Sequence, residues 1–414
     1  MMRRLTALLL CMVLLSAGLT GCTSAKATDL MTGVQPGDRK TSIDVTGPEA
    51  AAVTDFAVRL LQNLPSGEEN TLLSPVSVLC ALAMTENGAK GETLSQMETV
   101  FGLDLATLNH YLYAYTKSLP QGDKYQLSLA NSIWLRDDAH LTVEPAFLQT
   151  NADWYGAGAF KAPFDHSTCK EINRWVEDHT NGMIDGVLDK IPAEAMLYLI
   201  NALAFEAEWQ SVYETTQVWQ DTFTAQDGTE RTVDFLHSKE YRYLSDDKAS
   251  GFIKYYADNQ YAFAALLPDE GVSVSDYVAG FTGEKLHDLL LNCTAEPVYT
   301  SIPKFETEYA ASLAETLQSM GLTDAFDSAK ADFTAMGRSE NGPLFINDVI
   351  HKTYIKVDEK GTKAGAVTAV EMNAESAAPI EDPKEVNLNR PFIYMIVDTE
   401  ANLPIFLGTM LDIA

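Results

Sequence analysis

Residues 359–391 read EKGTKAGAVTAVEMNAESAAPIEDPKEVNLNRP, and they follow an apolar, strand-like stretch that ends at Val357. The first half of this segment consists mainly of small and β-branched residues without bulk. The second half contains Pro379 and Pro383, which have no backbone N–H and so do not suit an interior strand. The segment therefore predicts a chain that could enter a sheet, joined to a chain that could not.

Side-chain alternation supports a strand in the first half of this segment, because successive side chains of a strand point to opposite faces. One face would carry only uncharged residues, namely Thr362, Ala364, Ala366, Thr368, Val370, Met372 and Ala374. The other face would carry every charge in the run, on Lys363, Glu371 and Glu375. This pattern is typical of a half-buried strand. On spacing alone, an ordinary edge strand followed by a surface loop is the favoured interpretation.

The rest of the chain alternates between strand and helix patterns. Strands are predicted at 127–135, 197–205, 261–267, 345–357 and 392–397, and helices at 171–184 and 313–320. Ser74-Pro75 predicts a helix start, with the serine as N-cap and the proline in the first turn. Because the apolar pattern continues without a linker, we expect one α+β domain over residues 47–414.

The N-terminus has the pattern of an export signal. Arg3 and Arg4 precede an apolar run over 5–19, which is short for a membrane-spanning helix, and Leu-Thr-Gly then leads into Cys22. We expect 1–21 to be a lipoprotein signal peptide and Cys22 to be acylated, anchoring the protein on the outer face of a bacterial membrane. The alternative is an ordinary signal peptide with a chance cysteine. Residues 22–46 are polar and predict a flexible tether.

Composition and motifs exclude several classes of function. The net charge of −29 repels nucleic acid. The remaining cysteines outside the signal segment are Cys80, Cys169 and Cys293, with no CxxC pair, so neither a disulfide framework nor a zinc site is indicated. No HExxH, GxSxG or phosphate-loop motif occurs. We therefore expect no metal or cofactor and no catalytic activity of its own.

Many short motifs, taken in order, resemble those of serpins. They are Asn70-Thr-Leu-Leu-Ser-Pro-Val-Ser77, Gly88-Ala-Lys-Gly-Glu-Thr93, Asn201-Ala202 with Phe205 and Trp209, Ile302-Pro-Lys-Phe305, Ala331-Asp-Phe333, His351-Lys352, Arg390-Pro-Phe392 and Phe406-Leu-Gly408. The likeness covers roughly residues 50–414. It implies an α+β serpin fold with three β-sheets, about eight or nine helices and an exposed reactive-centre loop at about 359–390.

The resemblance also implies a mechanism. A serine protease cuts the loop and forms an ester with it, and the freed hinge inserts into the main sheet and drags the acyl-enzyme along. Counting along the hinge places the cut between Glu375 and Ser376, with Ala374, Ala377 and Ala378 as alternative sites. A longer than usual stretch to Arg390 leaves this register open. Small residues around the bond favour an elastase-like or subtilisin-like protease, and Glu375 also suits a Glu-specific one.

The resemblance assigns structural roles to a further set of residues. The hinge comprises Glu359, Gly361, Thr362, Ala364, Ala366 and Thr368. A cluster that lets the main sheet open comprises Ser74, Ser77, Asn201 and His351, and Trp209 guards the point where the hinge enters. The chain is expected to be a monomer with serine proteases as partners. The alternatives are a non-inhibitory, chaperone-like or binding member of the same fold and a secreted hydrolase.

Overall fold

The structure, a computed structural model, describes most of the chain. It covers residues 26–40, 42–65, 68–119, 122–138, 140–192, 194–340, 342–362 and 384–413. Three features predicted from the sequence therefore lie outside the described residues: the signal segment with Cys22, the part of the hinge beyond Thr362, and the reactive bond. For the hinge and the bond, the residues concerned are Ala364, Ala366, Thr368, Ala374, Glu375, Ser376, Ala377 and Ala378.

The described residues contain nine α-helices and nineteen strands. The helices are α1 (Pro48–Gln62), α2 (Pro75–Glu86), α3 (Gly91–Phe101), α4 (Leu105–Ser118), α5 (Pro145–Tyr155), α6 (His166–His179), α7 (Val274–Ala279), α8 (Gly283–Leu291) and α9 (Ala314–Ser319). The strands up to the middle of the chain are β1 (Thr28–Asp29), β2 (Thr71–Leu73), β3 (Tyr125–Arg136), β4 (Thr142–Val143), β5 (Gly158–Ala162), β6 (Leu197–Glu208), β7 (Val218–Thr224), β8 (Glu230–Glu240), β9 (Tyr243–Ser245) and β10 (Ala249–Tyr255). The later strands are β11 (Tyr261–Pro268), β12 (Val298–Pro303), β13 (Phe305–Ser312), β14 (Gly337–Arg338), β15 (Asp348–Val357), β16 (Gly361–Thr362), β17 (Lys384–Asn387), β18 (Phe392–Asp398) and β19 (Leu403–Met410).

Three large sheets organise these strands. Sheet A has seven strands in the order β1-β5-β3-β6-β16-β15-β13, sheet B has six in the order β2-β19-β18-β11-β10-β9, and sheet C has four in the order β17-β12-β8-β7. The strands β4 and β14 form a separate two-stranded pair. The α+β fold with three sheets and about nine helices, expected from the sequence, is therefore confirmed for the described residues.

Local sequence explains several helix ends. Proline occupies the first turn of α1, α2 and α5, where a missing N–H costs nothing because no helical partner exists for it. Helix α3 ends at Gly102, whose φ of +75° suits glycine far better than other residues. The boundaries of these helices thus follow from ordinary capping chemistry.

Helix α2 lies at the centre of the molecule. All of its residues are buried, and it packs against β3 and β6 of sheet A on one side and β19 of sheet B on the other. A helix that is apolar on every side has no solvent face, so it can be accommodated only between two layers. The first turn of α2 is therefore held directly beneath the middle of sheet A.

The sequence predicts a flexible tether at 22–46, and in the structure residues 26–40 of this segment make contacts with the domain. Strand β1 pairs with β5 and extends the edge of sheet A. Further along, Asp153 forms an ion pair with Arg39 and accepts a hydrogen bond of 2.7 Å from the backbone N–H of Gly37. Polar composition suggested a solvated chain, but these backbone and carboxylate contacts bind it to the domain.

Candidate functional site

The seam between β6 and β15 is the central feature of sheet A. These two strands run parallel and pair directly from Tyr198 with Asp348 to Ala204 with Tyr354. Beyond that point β16 lies between them, and Thr362 pairs antiparallel with both Val357 and Ala207. The seam is therefore closed along most of its length and holds two hinge residues, Gly361 and Thr362, at one end.

Glycine is required at position 361, because a side chain there would collide with the neighbouring strand. Its φ is +155°, and a Cβ built on it would lie 2.0 Å from the carbonyl oxygen of Ala207. The turn before it is closed by a hydrogen bond of 3.0 Å from the N–H of Asp358 to the carbonyl of Gly361. Any larger residue would push the hinge out of the seam.

Glu359 is fixed on the outside of the same turn. Its carboxylate lies 2.8 Å from Nζ of Lys304, and the hydrogen bond from this lysine lowers the pKa of Glu359. The backbone carbonyl of Glu359 accepts a hydrogen bond of 2.9 Å from the N–H of Tyr213. The start of the hinge is thereby attached to Tyr213, in the segment between β6 and β7, and to Lys304, which directly follows β12.

Trp209 follows directly after β6 and donates two hydrogen bonds to the turn before Gly361. Its Nε1 donates to the carbonyl of Asp358 at 2.8 Å, and its backbone N–H donates to the carbonyl of Lys360 at 2.9 Å. The indole is buried and stacks on the ring of Tyr256, with centroids 4.3 Å apart. Trp209 thus lies where the hinge enters the sheet.

A buried lysine completes the surroundings of Trp209. Nζ of Lys254 lies 5.4 Å from the centroid of the Trp209 ring and 4.4 Å from that of Tyr213, and it forms a 2.8 Å ion pair with Glu240. Burial would lower the pKa of this lysine, but the neighbouring Tyr213 and Glu240 outweigh it and the pKa is raised. Lys254 is therefore a charged group in a cage of two aromatic rings and one carboxylate.

Thr362 points into the protein and is fully buried. Its hydroxyl lies 2.6 Å from the hydroxyl of Tyr256, and burial raises the pKa of that tyrosine, so the phenol keeps its proton. The hydrogen bond satisfies two polar groups that burial would otherwise penalise.

A second polar group lies beneath the middle of the seam. Asn131, Asn201 and His351 occupy matching positions on β3, β6 and β15, so they form a row across three strands. The amide nitrogen of Asn201 donates to Asn131 Oδ1 and to Ser77 Oγ. The row thus links the sheet to the first turn of α2 below it.

The protonation of His351 follows from these contacts. Because the amide nitrogen of Asn201 is a donor, its Oδ1 accepts from Nδ1 of His351 at 2.6 Å. Nε2 then accepts the backbone N–H of Ser74 at 3.1 Å. The imidazole is neutral, and burial lowers the pKa of His351 to about 3. It is a structural histidine and has no arrangement for acid–base catalysis.

The structure brings together some of the residues named from the sequence and separates others. One cluster beneath the middle of the seam contains Ser74, Ser77, Asn201 and His351, whereas Trp209 lies at the hinge entrance at one end of the seam. Four residues of the site were not predicted from the sequence, namely Tyr256, Tyr213, Lys254 and Asn131. Of these, only Asn131 had a local signal, since it is an amide inside an otherwise apolar strand.

Neither a metal-binding cluster nor a membrane-spanning helix is found among the described residues. Within them, no group of three or more His, Cys, Asp and Glu side chains is arranged to hold a metal ion. Across the same residues, no helix combines the length and apolar character that crossing a membrane requires.

Comparison with known proteins agrees with this architecture. A sequence profile described as Serpin (serine protease inhibitor) matches residues 51–413. An uncharacterised serpin-like protein of Thermococcus kodakarensis is 30% identical over 373 residues, which is 88% of this chain and 86% of that protein. Leukocyte elastase inhibitor A of Mus musculus is 30% identical over 379 residues, covering 87% of this chain and 98% of the relative.

Solved structures allow the state of the sheet to be compared. The thermophilic serpin tengpin in its native state is 46% identical, with a TM-score of 0.89 over 94% of this chain and 100% of that one. The latent state of tengpin gives a TM-score of 0.80 over 91% of this chain and 100% of that one. The greater likeness to the native state accords with the direct pairing of β6 and β15. On its sequence, its fold and its hinge, this chain belongs to the serpin family, the serine protease inhibitors.

Proposed function

We propose that this protein inhibits secreted serine proteases as a suicide substrate, by inserting its cleaved loop into sheet A. One observation carries the proposal: Thr362 already pairs with both strands of the seam, while the seam below it is closed. A strand that follows Thr362 could continue this ladder by separating β6 from β15. Insertion therefore requires only that β6 and β15 separate.

The chemistry of the trap is an interrupted hydrolysis. The protease serine attacks the carbonyl of the residue before the cut, the C–N bond breaks, and the new amine leaves with the following residue. An ester then joins the protease to the hinge. Insertion of the hinge carries this ester away from the loop's original position and distorts the protease before water can attack. We place the cut after Glu375, with Ala374 and Ala377 as alternatives.

The composition of the hinge supports insertion on energetic grounds. Each new ladder hydrogen bond contributes about 1 kcal/mol net, whereas one unpaired buried charge costs several kcal/mol. The alternating positions from Thr362 to Ala374 carry no charge. With a hinge of this composition, each inserted residue pair lowers the free energy of the molecule. Insertion can therefore be faster than hydrolysis of the ester.

The target and the location are part of the same proposal. Small residues around the cut favour an elastase-like or subtilisin-like protease, and basic residues are missing there, which disfavours a trypsin-like one. One relative is itself named as an elastase inhibitor. The signal-like N-terminus and Cys22 favour a protein held by lipid on the outer face of a bacterial membrane. We further propose that it acts as a monomer and is not itself an enzyme.

The test is to incubate the chain from residue 26 onward with elastase-like and subtilisin-like proteases and run denaturing gels. A band at the summed mass is expected. Thr362→Arg would place a charge on the buried face and should convert the protein into a substrate, whereas Lys363→Arg, on the opposite face of the predicted strand, should still trap. Clean cleavage of the wild type would favour a non-inhibitory member of the fold.

A second measurement tests whether the native form is less stable than the form in which the cleaved hinge has inserted into sheet A. Clipping the loop without trapping a protease should raise the heat resistance of the molecule, because the freed hinge would become a new central strand of sheet A. Unchanged melting after clipping would contradict insertion, whatever the gels show.

A further inference from the structure

The N-terminal part of the described chain joins the domain at one end of sheet A. Thr28 in β1 pairs with Lys161 in β5, which also pairs with Leu135 in β3. Leu135 in turn pairs with Leu197, the first residue of β6. One row of residues thus crosses four strands at the end where β6 begins. We call this end, marked by Lys161, Leu135 and Leu197, the base of sheet A.

Contacts to the body of the protein fix the chain at this position. The backbone N–H of Ala27 donates to Oε2 of Glu171 in α6 at 2.7 Å. The N–H of Leu30 donates to the carbonyl of Ala159 at 2.9 Å. Ala27 also packs against the apolar cluster that contains Ile172 of α6. Ala27 is therefore a fixed point beside the base of sheet A.

The hinge enters sheet A at the opposite end. Thr362 pairs with Ala207, which lies ten residues further along β6 than Leu197. At about 3.3 Å per residue, the hinge entrance and the base lie about 33 Å apart. An inserted strand would run antiparallel to β6, from Ala207 toward Leu197. Continued without a slip, this ladder would bring Met372 opposite Leu197 and carry Glu375 beyond the base.

The chain before Ala27 limits how far the base of sheet A can lie from lipid. Cys22, the proposed lipid attachment, precedes Ala27 by five residues, which span at most about 18 Å when fully extended. This reach is shorter than the distance of about 33 Å between the base and the hinge entrance. The hinge entrance could approach the lipid only if the whole domain lay flat. The net charge of −29 opposes such broad contact with anionic headgroups.

We propose that the lipid-anchored protein stands on the membrane with the base of sheet A toward the lipid surface and the hinge entrance away from it. A protease then reaches the chain after Thr362 only from the side away from the membrane. Insertion carries the ester past the base, so the trapped protease ends between the domain and the lipid. Both consequences rest on the proposed trapping function and on the proposed lipid at Cys22. They restrict the targets to proteases that arrive in solution and exclude those embedded in the same membrane.

The orientation is tested with the lipid-modified full chain in vesicles of phosphatidylethanolamine and phosphatidylglycerol that contain a headgroup-linked quencher. Asp137→Cys and Asp123→Cys place a fluorophore at exposed positions beyond opposite ends of β3. Cys293→Ser removes a partly exposed thiol, whereas Cys80 and Cys169 are buried. The label at 137, beside the base, should be quenched several-fold more strongly than the label at 123, beside the hinge entrance. Equal quenching, or stronger quenching at 123, would overturn the proposal.

Two controls examine the anchor itself. Mass spectrometry of the purified full chain should show acyl groups on Cys22, and an unmodified Cys22 would overturn the orientation without touching the trap. The chain from residue 26 onward, with the same labels and vesicles, should show no quenching at either position. Quenching of its label at 137 would show that the base binds headgroups without lipid and would overturn the role of Cys22.

A labelled protease tests where the trapped protease ends. An elastase-like or subtilisin-like protease that carries a fluorophore should be quenched as it forms a covalent complex with the anchored protein. The same protease with alanine in place of its catalytic serine should bind without quenching. A covalent complex without quenching would overturn the proposal and leave the trap standing. Absence of any covalent complex, with the labels at 137 and 123 differing as expected, would overturn the trap and leave the orientation standing.

Discussion

The hydroxyl of Tyr256 lies 2.6 Å from the hydroxyl of Thr362, and this hydrogen bond ties the second residue of β16 to the residue that follows β10. Both side chains are buried. The hinge is therefore held in the seam by a specific polar contact as well as by its backbone.

Tyr256→Phe is expected to lower the stability of the native form. It leaves the buried hydroxyl of Thr362 without this partner, at a cost of about 1–3 kcal/mol. Urea unfolding of the uncleaved protein measures the change. The double variant Tyr256→Phe/Thr362→Val removes both hydroxyls and should recover part of the loss. A single variant as stable as wild type would show that the bond contributes nothing.

Gly361→Ala is expected to expel the hinge from the seam, because its Cβ would lie 2.0 Å from the carbonyl oxygen of Ala207. Insertion would then have no starting point, and more inhibitor would be cleaved for every protease trapped. Titration of a protease with the variant gives the stoichiometry. Lys360→Ala is the matched control, since the hydrogen bond from Trp209 is accepted by the backbone carbonyl of Lys360, which the substitution keeps. Equal stoichiometry for all three proteins would contradict this role of Gly361.

His351 should make the native form less stable in mild acid. The unfolded chain binds a proton near the ordinary pKa of 6.5, whereas the folded protein does so only near 3. Because the folded pKa is depressed, the contribution is complete above pH 6.5 and falls by about 1.4 kcal/mol for each pH unit below it, down to about pH 3.

The measurement is the difference in unfolding free energy between wild type and His351→Gln at pH 7 and pH 5. The difference should shrink by about 2 kcal/mol over this interval. His140→Gln, at an exposed histidine, serves as the control. A difference that is constant with pH would mean that His351 titrates normally in the folded protein.

Glu86 provides the opposite pH dependence. It is fully buried at the end of α2, and neither carboxylate oxygen has a hydrogen-bond partner among the described residues. Burial, together with the charges of Glu98 and Asp104, raises the pKa of Glu86 to about 9. Because the folded pKa is raised, stability is complete below about pH 4.5 and declines as the pH rises toward 9, which amounts to about 3 kcal/mol at pH 7.

Replacing Glu86 by glutamine removes this titration. Glu86→Gln should therefore be more stable than wild type at pH 7, by up to about 3 kcal/mol, and by less than about 1 kcal/mol at pH 5. Denaturant unfolding at the two pH values measures the gain, with Glu92→Gln on the exposed face of α3 as the control. An equal effect of Glu86→Gln at both pH values would contradict a protonated Glu86.

Strands with strong periodicity were predictable from the sequence, and helix ends were less so. The stretch predicted at 261–267 is β11 (Tyr261–Pro268), and 197–205 lies within β6 (Leu197–Glu208). The helix predicted at 171–184 instead begins at His166 and ends at His179. Asp165 caps its start, and Asn181 and Gly182 adopt positive φ after its end. Both signals are present in the sequence and were overlooked.

The role of Ser74 shows what local sequence could not reveal. Helix α2 does begin at Pro75, as the Ser-Pro pair predicted, but the side chain of Ser74 makes no capping hydrogen bond. Its backbone N–H instead donates to His351, which is 277 positions away in the chain. Tyr256 and Lys254 were missed for the same reason, since tertiary packing alone brings them to Trp209.

The antiparallel register of β16 fixes where each later residue of a cleaved loop would arrive. Thr362 faces Ala207 and Val357, and Asn201 and His351 each lie six positions earlier in the same two strands. Continued without a slip, this ladder would deliver Thr368 between Asn201 and His351. The hydroxyl of Thr368 could then form hydrogen bonds with Asn201 and His351 in place of the hydrogen bond that joins these two residues in the closed sheet. The closed sheet would thus already contain polar partners for the inserting strand.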